Sequence, residues 1–404
     1  MIEIYPKLNQ FRWKCPACGC QLSEAKSILF QGQHILADIS CTCCDVEYFQ
    51  TYPVGHGAVF PISFTKTGEK SKYGQVAEWW MAKPLIDSMV SNEKNEPSID
   101  IVVYKKFENS VILNCLDDCW GHVFMKLLNA QKHLDDNPET GLILLIPANF
   151  KWLIPEGIAE AWLVNAPLID FRKRIFNLET FVKVQFERFE SVSLSEADIR
   201  PNLSNLDISK FTKTEKFDFE STHKLAITFI WREDRFWQTS KMEEWMFLAS
   251  IKFKFFDFVK PFFAWRQMAH FNSVAKIIAK CHPDAIIKLA GIGKSMKANS
   301  LILDLRKTEY SESIETEFCR IYAQSHVVIG VHGSNMLLPT ALAGGFVDLV
   351  PSWKLERWGE DLAQPYLEGH SVLLGRCLEG ISSAKKIAKH VLSIFENHRT
   401  HKVK

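Results

Sequence analysis

The chain has no excess of charge of either sign. Its 404 residues carry 48 Lys and Arg against 47 Asp and Glu, a net charge of +1. A general nucleic-acid binder needs a basic excess to neutralise phosphates, so that class is not expected. Long apolar runs are also missing. No stretch reaches the roughly 18–20 apolar residues of a membrane span. The opening Met1-Ile2-Glu3-Ile4-Tyr5-Pro6-Lys7 has no apolar core of signal-peptide length. These absences predict a cytoplasmic protein, with peripheral membrane association left open. A complete phosphate loop is absent as well. Gly291-Ile292-Gly293-Lys294-Ser295 has the look of its end, but the pattern needs a glycine where Lys288 stands, which excludes that kind of ATPase.

What the chain does have is 47% hydrophobic residues and a length that suits two or three domains. Six of its 11 cysteines fall between residues 15 and 44. Cys15-Pro16-Ala17-Cys18 and Cys41-Thr42-Cys43-Cys44 are two C-x2-C knuckles, the spacing that closes a tetrahedral zinc site. Cys15, Cys18, Cys41 and Cys44 are the expected ligands of a structural Zn. Cys20 and Cys43 are spares, and Cys43 could replace a neighbour. The stretch Ile28–Leu36 between the knuckles reads as a hairpin. A redox or catalytic thiol set lacks its usual βαβ context. Little basic charge surrounds the module, which favours docking to a protein partner or to a neighbouring domain.

Apolar strands alternating with amphipathic helices predict an α/β chain. Ile99–Tyr104, Val111–Asn114, Gly141–Pro147 and Phe181–Gln185 read as strands, and Ile158–Val164 and Phe171–Phe176 as helical. Ser191 to Phe219 is polar and reads as periphery and linker. Cys119-Trp120-Gly121-His122 opens an amphipathic helix, with Asp117 and Asp118 just before it. A histidine beside carboxylates could serve as general base, or could be a packed residue with the aspartates capping the helix.

A second βα series begins at His223–Trp231, directly followed by Arg232-Glu233-Asp234-Arg235. Two arginines past the carboxyl end of a strand are placed to grip phosphate, or to form surface ion pairs with Glu233 and Asp234. Further strands are expected at Ala285–Gly291 and Leu301–Leu305, and helices at Ser311–Gln324, capped by Ser311, and at Ser382–Asn397. Between them lies the β-branched run Val327–Val331, then His332-Gly333-Ser334-Asn335, then a helix ended by Gly344-Gly345, then the strand Phe346–Val350. Gly333 permits a sharp turn, and Ser334 or Asn335 could cap the helix. Such a turn at a strand's carboxyl end is a seat for an anion.

With these three segments in hand, the chain resembles glycosyltransferases of the two-Rossmann-domain GT-B type, and within them family 61 (DUF563-like). The likeness is carried by Cys119-Trp120-Gly121-His122, by Trp231-Arg232-Glu233-Asp234-Arg235 and by Ile329-Gly330-Val331-His332-Gly333-Ser334. It implies two Rossmann-like domains facing a cleft, beside the small cysteine-rich zinc ribbon. The expected divisions are 1–62 for the ribbon, 63–220 for an acceptor domain and 221–404 for a donor domain. It implies transfer of a sugar from a nucleotide-sugar donor to a glycan or other hydroxyl acceptor. His122 or Asp118 would take the hydroxyl proton, and Arg232, Arg235, His332, Gly333, Ser334 and Asn335 would hold the donor. No D-x-D occurs, so no catalytic metal is expected. A non-catalytic scaffold of the same fold and a zinc-ribbon nucleic-acid binder are the alternatives.

Overall fold

The computed structural model describes residues 1–8, 13–20, 25–69, 77–91, 94–220, 224–293, 296–363 and 374–401. Lys294 and Ser295, the end of the phosphate-loop likeness, lie outside them, as does His223. The chain forms two compact units, Met1–Pro201 and Asn202–Lys404. Both are α/β. Among the described residues no helix is long and apolar enough to cross a membrane.

The first unit holds two sheets. Strands β1 (Ile2–Tyr5), β6 (Ile99–Val103), β7 (Asn109–Asn114), β8 (Gly141–Pro147), β9 (Glu160–Val164) and β10 (Ser191–Leu194) form a six-stranded sheet in the order β1-β10-β7-β8-β9-β6. The four central strands are parallel, and β1 and β6 close the edges antiparallel. Strands β2 (Ala25–Gln31), β3 (His34–Ser40), β4 (Glu47–Thr51) and β5 (Ser63–Thr65) form an antiparallel sheet. The expected hairpin is β2–β3, turning at Gly32 with φ 72°. Its apolar side chains Phe30, Ile35, Ala37 and Ile39, with Tyr48 of β4, join one core with Ile112, Ile143, Leu145 and Trp162 of the larger sheet. The cysteine-rich segment therefore covers the parallel sheet, whose buried strands need apolar cover.

Three expectations here are corrected. Phe181–Gln185 lies in the helix Leu178–Phe186, where Val182 and Phe186 bury one face; its alternation coincides with a helical i, i+4 spacing. Ile158–Val164 is not helical but supplies β9, buried along its length. It conceals a charge, Glu160, which accepts from Trp162 Nε1 at 2.8 Å and pairs with Arg188. Ser191–Phe219 is not wholly linker, because Ser191–Leu194 is β10, inside the sheet. A four-residue strand with two serines carries too little apolar periodicity to be read.

The second unit is built on six parallel strands: β11 (Ala226–Trp231), β12 (Ile286–Gly291), β13 (Leu303–Asp304), β14 (Val327–Val331), β15 (Phe346–Val350) and β16 (Gly375–Glu379). Their order is β13-β12-β11-β14-β15-β16. The chain winds outward from β11 one way, then returns to β14 and winds the other way. This is the doubly wound order, with its reversal between β11 and β14. β11, β14 and β15 are buried along their length. The helices Phe256–Cys281 and Ala384–His401 pack on the core through Phe271, Val274, Ile278, Val391 and Ile394. Ser311 caps the helix Glu312–Ala323 as expected, accepting from Ile314 N at 3.3 Å.

Candidate functional site

The residues picked out in the second unit meet at the reversal point. Arg232 follows the last residue of β11, and His332 follows the last residue of β14. In open α/β sheets the crevice at this point is where ligands bind. Arg232 bridges the two strand ends. Its Nη1 donates to the His332 carbonyl at 3.2 Å and to Asn335 Oδ1, while Nε and Nη2 hold Asp234. Arg235 donates through Nη1 to the same His332 carbonyl. Among the described residues no other donor of Arg235 is engaged. Burial, then the neighbouring Arg232, pull its pKa below the ordinary arginine value. Asn335 Nδ2 is buried here without a partner among the described residues.

Gly333 has φ 147°, and a Cβ on it would meet the Nη1 atoms of both arginines. Glycine thus lets the guanidinium groups close over the turn. The expected capped helix takes a different form. A 3-10 turn, Ser334–Met336, leads into the short helix Leu337–Leu342, with no side-chain cap. Asn335 Oδ1 serves Arg232 instead.

His332 is buried, with only 1% of its side chain exposed. Nδ1 lies 2.7 Å from Asp348 Oδ2, and Nε2 lies 3.2 Å from Asp361 Oδ2. Its ring thus anchors the turn, and its carbonyl faces the arginines. Burial pushes the Asp348 carboxyl up in pKa, against the pull of His332. Sequence reasoning missed Asp348, Asp361, Lys354 and Arg357. Lys354 and Arg357 lie on the 3-10 turn Ser352–Arg357 after β15. Burial, then repulsion from Arg235 and Arg357, lowers the pKa of Lys354. The cue was present: basic residues follow the end of β15, as Arg232 and Arg235 follow the end of β11.

The first unit has its own reversal. The chain runs β7, β8, β9 to one side, and β10 returns beside β7. Asp117, Asp118 and His122 follow the end of β7, at that point. Asp117 is fully buried, accepts from the Cys119 N–H at 3.2 Å and meets three side chains. Its Oδ1 is 3.0 Å from His122 Nδ1; its Oδ2 is 3.0 Å from His56 Nδ1 and 2.8 Å from Lys126 Nζ. Burial alone would raise the Asp117 carboxyl, but Lys126 and His56, aided by the hydrogen bond with His122, hold it well below the carboxylate range.

Asp118 faces another way. It accepts from Arg172 Nε and from Trp80 Nε1 at 3.4 Å, and burial followed by repulsion from Asp117 raises its pKa. His122 is the partly exposed member, with 33% of its side chain accessible. Asp117 engages its Nδ1, which leaves Nε2 as the nitrogen for another partner. His56 was missed, because it is 61 residues upstream of Asp117 and no local pattern marks it.

His56, Asp117 and His122 offer ligand atoms within 4.8 Å of one another, a spacing a metal ion could use. Lys126 already neutralises the shared carboxylate, and a divalent ion would lie against its ammonium. The arrangement therefore fits proton handling better than metal binding.

The cysteine tetrad assembles as its spacing implies. Cys15 and Cys44 sulfurs are 3.7 Å apart, Cys18 and Cys41 sulfurs 3.6 Å, and all four lie within 4.8 Å of one another. A tetrahedron with zinc–sulfur bonds of about 2.3 Å has edges of about 3.8 Å. The donor set thus fits a metal ion held by four protein ligands. The Cys43 N–H donates to Cys41 Sγ at 3.4 Å, and that bond leads the causes that bring the Cys41 thiol down to about 6. The two spares, Cys20 and Cys43, are joined as a disulfide, so Cys43 does not stand in for a ligand.

Fold and sites define a two-unit α/β protein with a cysteine tetrad able to hold a metal ion, a cationic turn at one sheet reversal and a His–Asp pair at the other. No protein-family profile matches the chain, and no curated protein does. Among solved structures it is similar to a Listeria monocytogenes protein provisionally named UDP-N-acetylglucosamine 2-epimerase, at 10% identity over 74% of this chain and 90% of that one, with a TM-score of 0.33. It is also similar to TarM, at 11% identity over 98% of this chain and 72% of that one, with a TM-score of 0.25.

Proposed function

We propose that the protein is a glycosyltransferase that moves a sugar from a nucleotide-sugar donor to a hydroxyl of a glycan or other acceptor, without a catalytic metal. One observation carries this reading. The Arg232–Arg235 pair, Asn335 Nδ2, which is unpartnered among the described residues, and the Gly333 turn converge on the β11/β14 reversal. A diphosphate leaving group develops negative charge, and preorganised cations and N–H donors stabilise it without a metal. Arg235 is the phosphate contact, with Lys354 and Arg357 behind it. Arg232 holds the turn in shape.

His122 is the general base in this scheme. Its Nε2 accepts the acceptor hydroxyl proton, and Asp117 orients the ring and stabilises the resulting imidazolium. Asp118 supports the local structure through Arg172. The reading places the chain among family 61-like enzymes, on the three motifs given above. The cysteine tetrad is assigned to zinc with a structural role, since four thiolates leave no open coordination position.

The test is a thermal-shift screen with nucleoside diphosphates and nucleotide sugars, with and without EDTA. A ligand that binds only the folded chain raises the midpoint by mass action. The expected result is stabilisation by one nucleoside diphosphate, retained in EDTA and lost in Arg235→Ala. Absence of any shift at millimolar ligand would leave the non-catalytic scaffold as the better account.

A further inference from the structure

The second unit carries a helical hairpin that is apolar on its outer face as well as its inner one. The helix Lys241–Lys252 is followed by Phe253-Lys254-Phe255, with Lys254 at φ 59°, and then by the helix from Phe256. Phe247, Phe263, Ala264 and Met268 face inward and join the core. The outward residues are also large and apolar. Phe258 is 87% exposed, Met242 76%, Trp245 72% and Phe253 67%, with Ile251, Phe255, Phe262 and Trp265 beside them. Water-exposed rings at this density are unfavourable in a free monomer, and a patch of this kind marks an interaction surface.

The charges around the rings identify the partner. Lys241, Lys252 and Lys254 are exposed. Of the three acidic residues between 241 and 265, two turn inward. Glu243 binds Arg266, and Glu244 accepts from Ser352 N at 3.1 Å. Only Asp257 is exposed. Lys252 Nζ lies over the Phe253 ring, 5.8 Å from its centroid, so a cation and an exposed ring stand side by side at the end of the first helix. A second copy of the chain would bring these lysines against their own equivalents with little acid to offset them.

We infer that this hairpin docks on an anionic lipid surface. Phe253, Phe255 and Phe258 at the turn enter the boundary between headgroups and acyl chains, and Trp245 and Trp265 sit at headgroup level. Lys252 and Lys254 pair with lipid phosphates. Lys254, at φ 59°, and its two flanking phenylalanines, both exposed, form the link between the two helices.

The experiment uses the full chain and co-sedimentation with vesicles of phosphatidylcholine, alone or mixed with phosphatidylglycerol. The expected result is binding to the mixed vesicles, weaker binding to phosphatidylcholine alone, and weakening by salt. The variant F253S/F258S should lower partitioning roughly tenfold or more per ring removed. The variant K252Q/K254Q should lower it roughly fivefold per lysine on the mixed vesicles only. These side chains are exposed, so the circular dichroism spectrum and thermal midpoint should match the parent. The inference is overturned if the parent stays in the supernatant with both vesicles, or if F253S/F258S pellets as well as the parent. It is equally overturned if the parent is a dimer that F258S dissociates and that binds no lipid, since a second copy then covers the face. Vesicle binding is read without donor or acceptor, so this result and that of the nucleotide screen are independent.

Discussion

His122 Nδ1 lies 3.0 Å from Asp117 Oδ1, while the adjacent Asp118 turns away to Arg172 and Trp80. The two carboxylates are neighbours in sequence with different tasks. His122→Gln should lower sugar transfer about 10²–10⁴-fold while leaving nucleoside-diphosphate binding intact, the range for loss of a general base. Steady-state kinetics beside the thermal-shift screen check this. Full transfer by the variant would remove His122 from the chemistry.

Asp117→Ala strips the counter-ion from the buried Lys126. Removing one partner of a buried ion pair costs about 3–5 kcal/mol. Urea denaturation should show a loss of that order. Asp118→Ala should cost less, since Arg172 is partly exposed and water can take over its solvation. A larger loss in Asp118→Ala would reverse the assignment.

Acid should weaken the first unit before its carboxylates titrate. Burial, followed by repulsion from His56 and Lys126, depresses the pKa of His34 to about 3. The unfolded chain takes up this proton near pH 6.5 and the folded chain does not, so stability falls as pH drops below about 6.5. The expected loss between pH 7 and pH 5 is about 2 kcal/mol. The depressed pKa of Asp117 acts lower down, removing stability only as pH falls below the ordinary carboxylate value of about 3.9. Urea titrations at both pH values should show the drop in the parent, and a smaller one in His34→Gln.

The two arginines should separate by phenotype. Arg235→Ala should weaken nucleoside-diphosphate binding about 10- to 100-fold with little change in the thermal midpoint, the worth of a charged hydrogen bond. Arg232→Ala should lower the midpoint as well, because Arg232 ties the β11 end to the β14 turn. Calorimetric titration and a melting curve on each variant decide it.

Metal analysis should find one zinc ion per chain, absent from Cys15→Ser/Cys41→Ser. Prolonged chelation should lower the melting temperature, because Cys15 and Cys41 pack in the core shared by the two sheets of the first unit. A chain that purifies without metal and melts unchanged would remove the zinc assignment.

The sequence alone marked the cysteine tetrad, the buried strands of the second unit and the Ser311 cap, because each is written in local spacing. Runs such as Val327–Val331 are apolar because both faces of a parallel strand are covered, and that is visible along the chain. Short polar β10 and the charge-bearing β9 were not, since their partners in the sheet decide their state.

The same division runs through the sites. Sequence placed His122, Arg232, Arg235 and Gly333 after strands, where ligands gather. It could not tell Asp117 from Asp118, nor find His56, Lys126, Asp348 or Asp361. A side chain's task depends on which distant groups share its buried space, and burial makes each unpaired charge costly enough to fix the pairing. Local pattern determined where the chemistry could sit; only the tertiary structure decided which atoms face it.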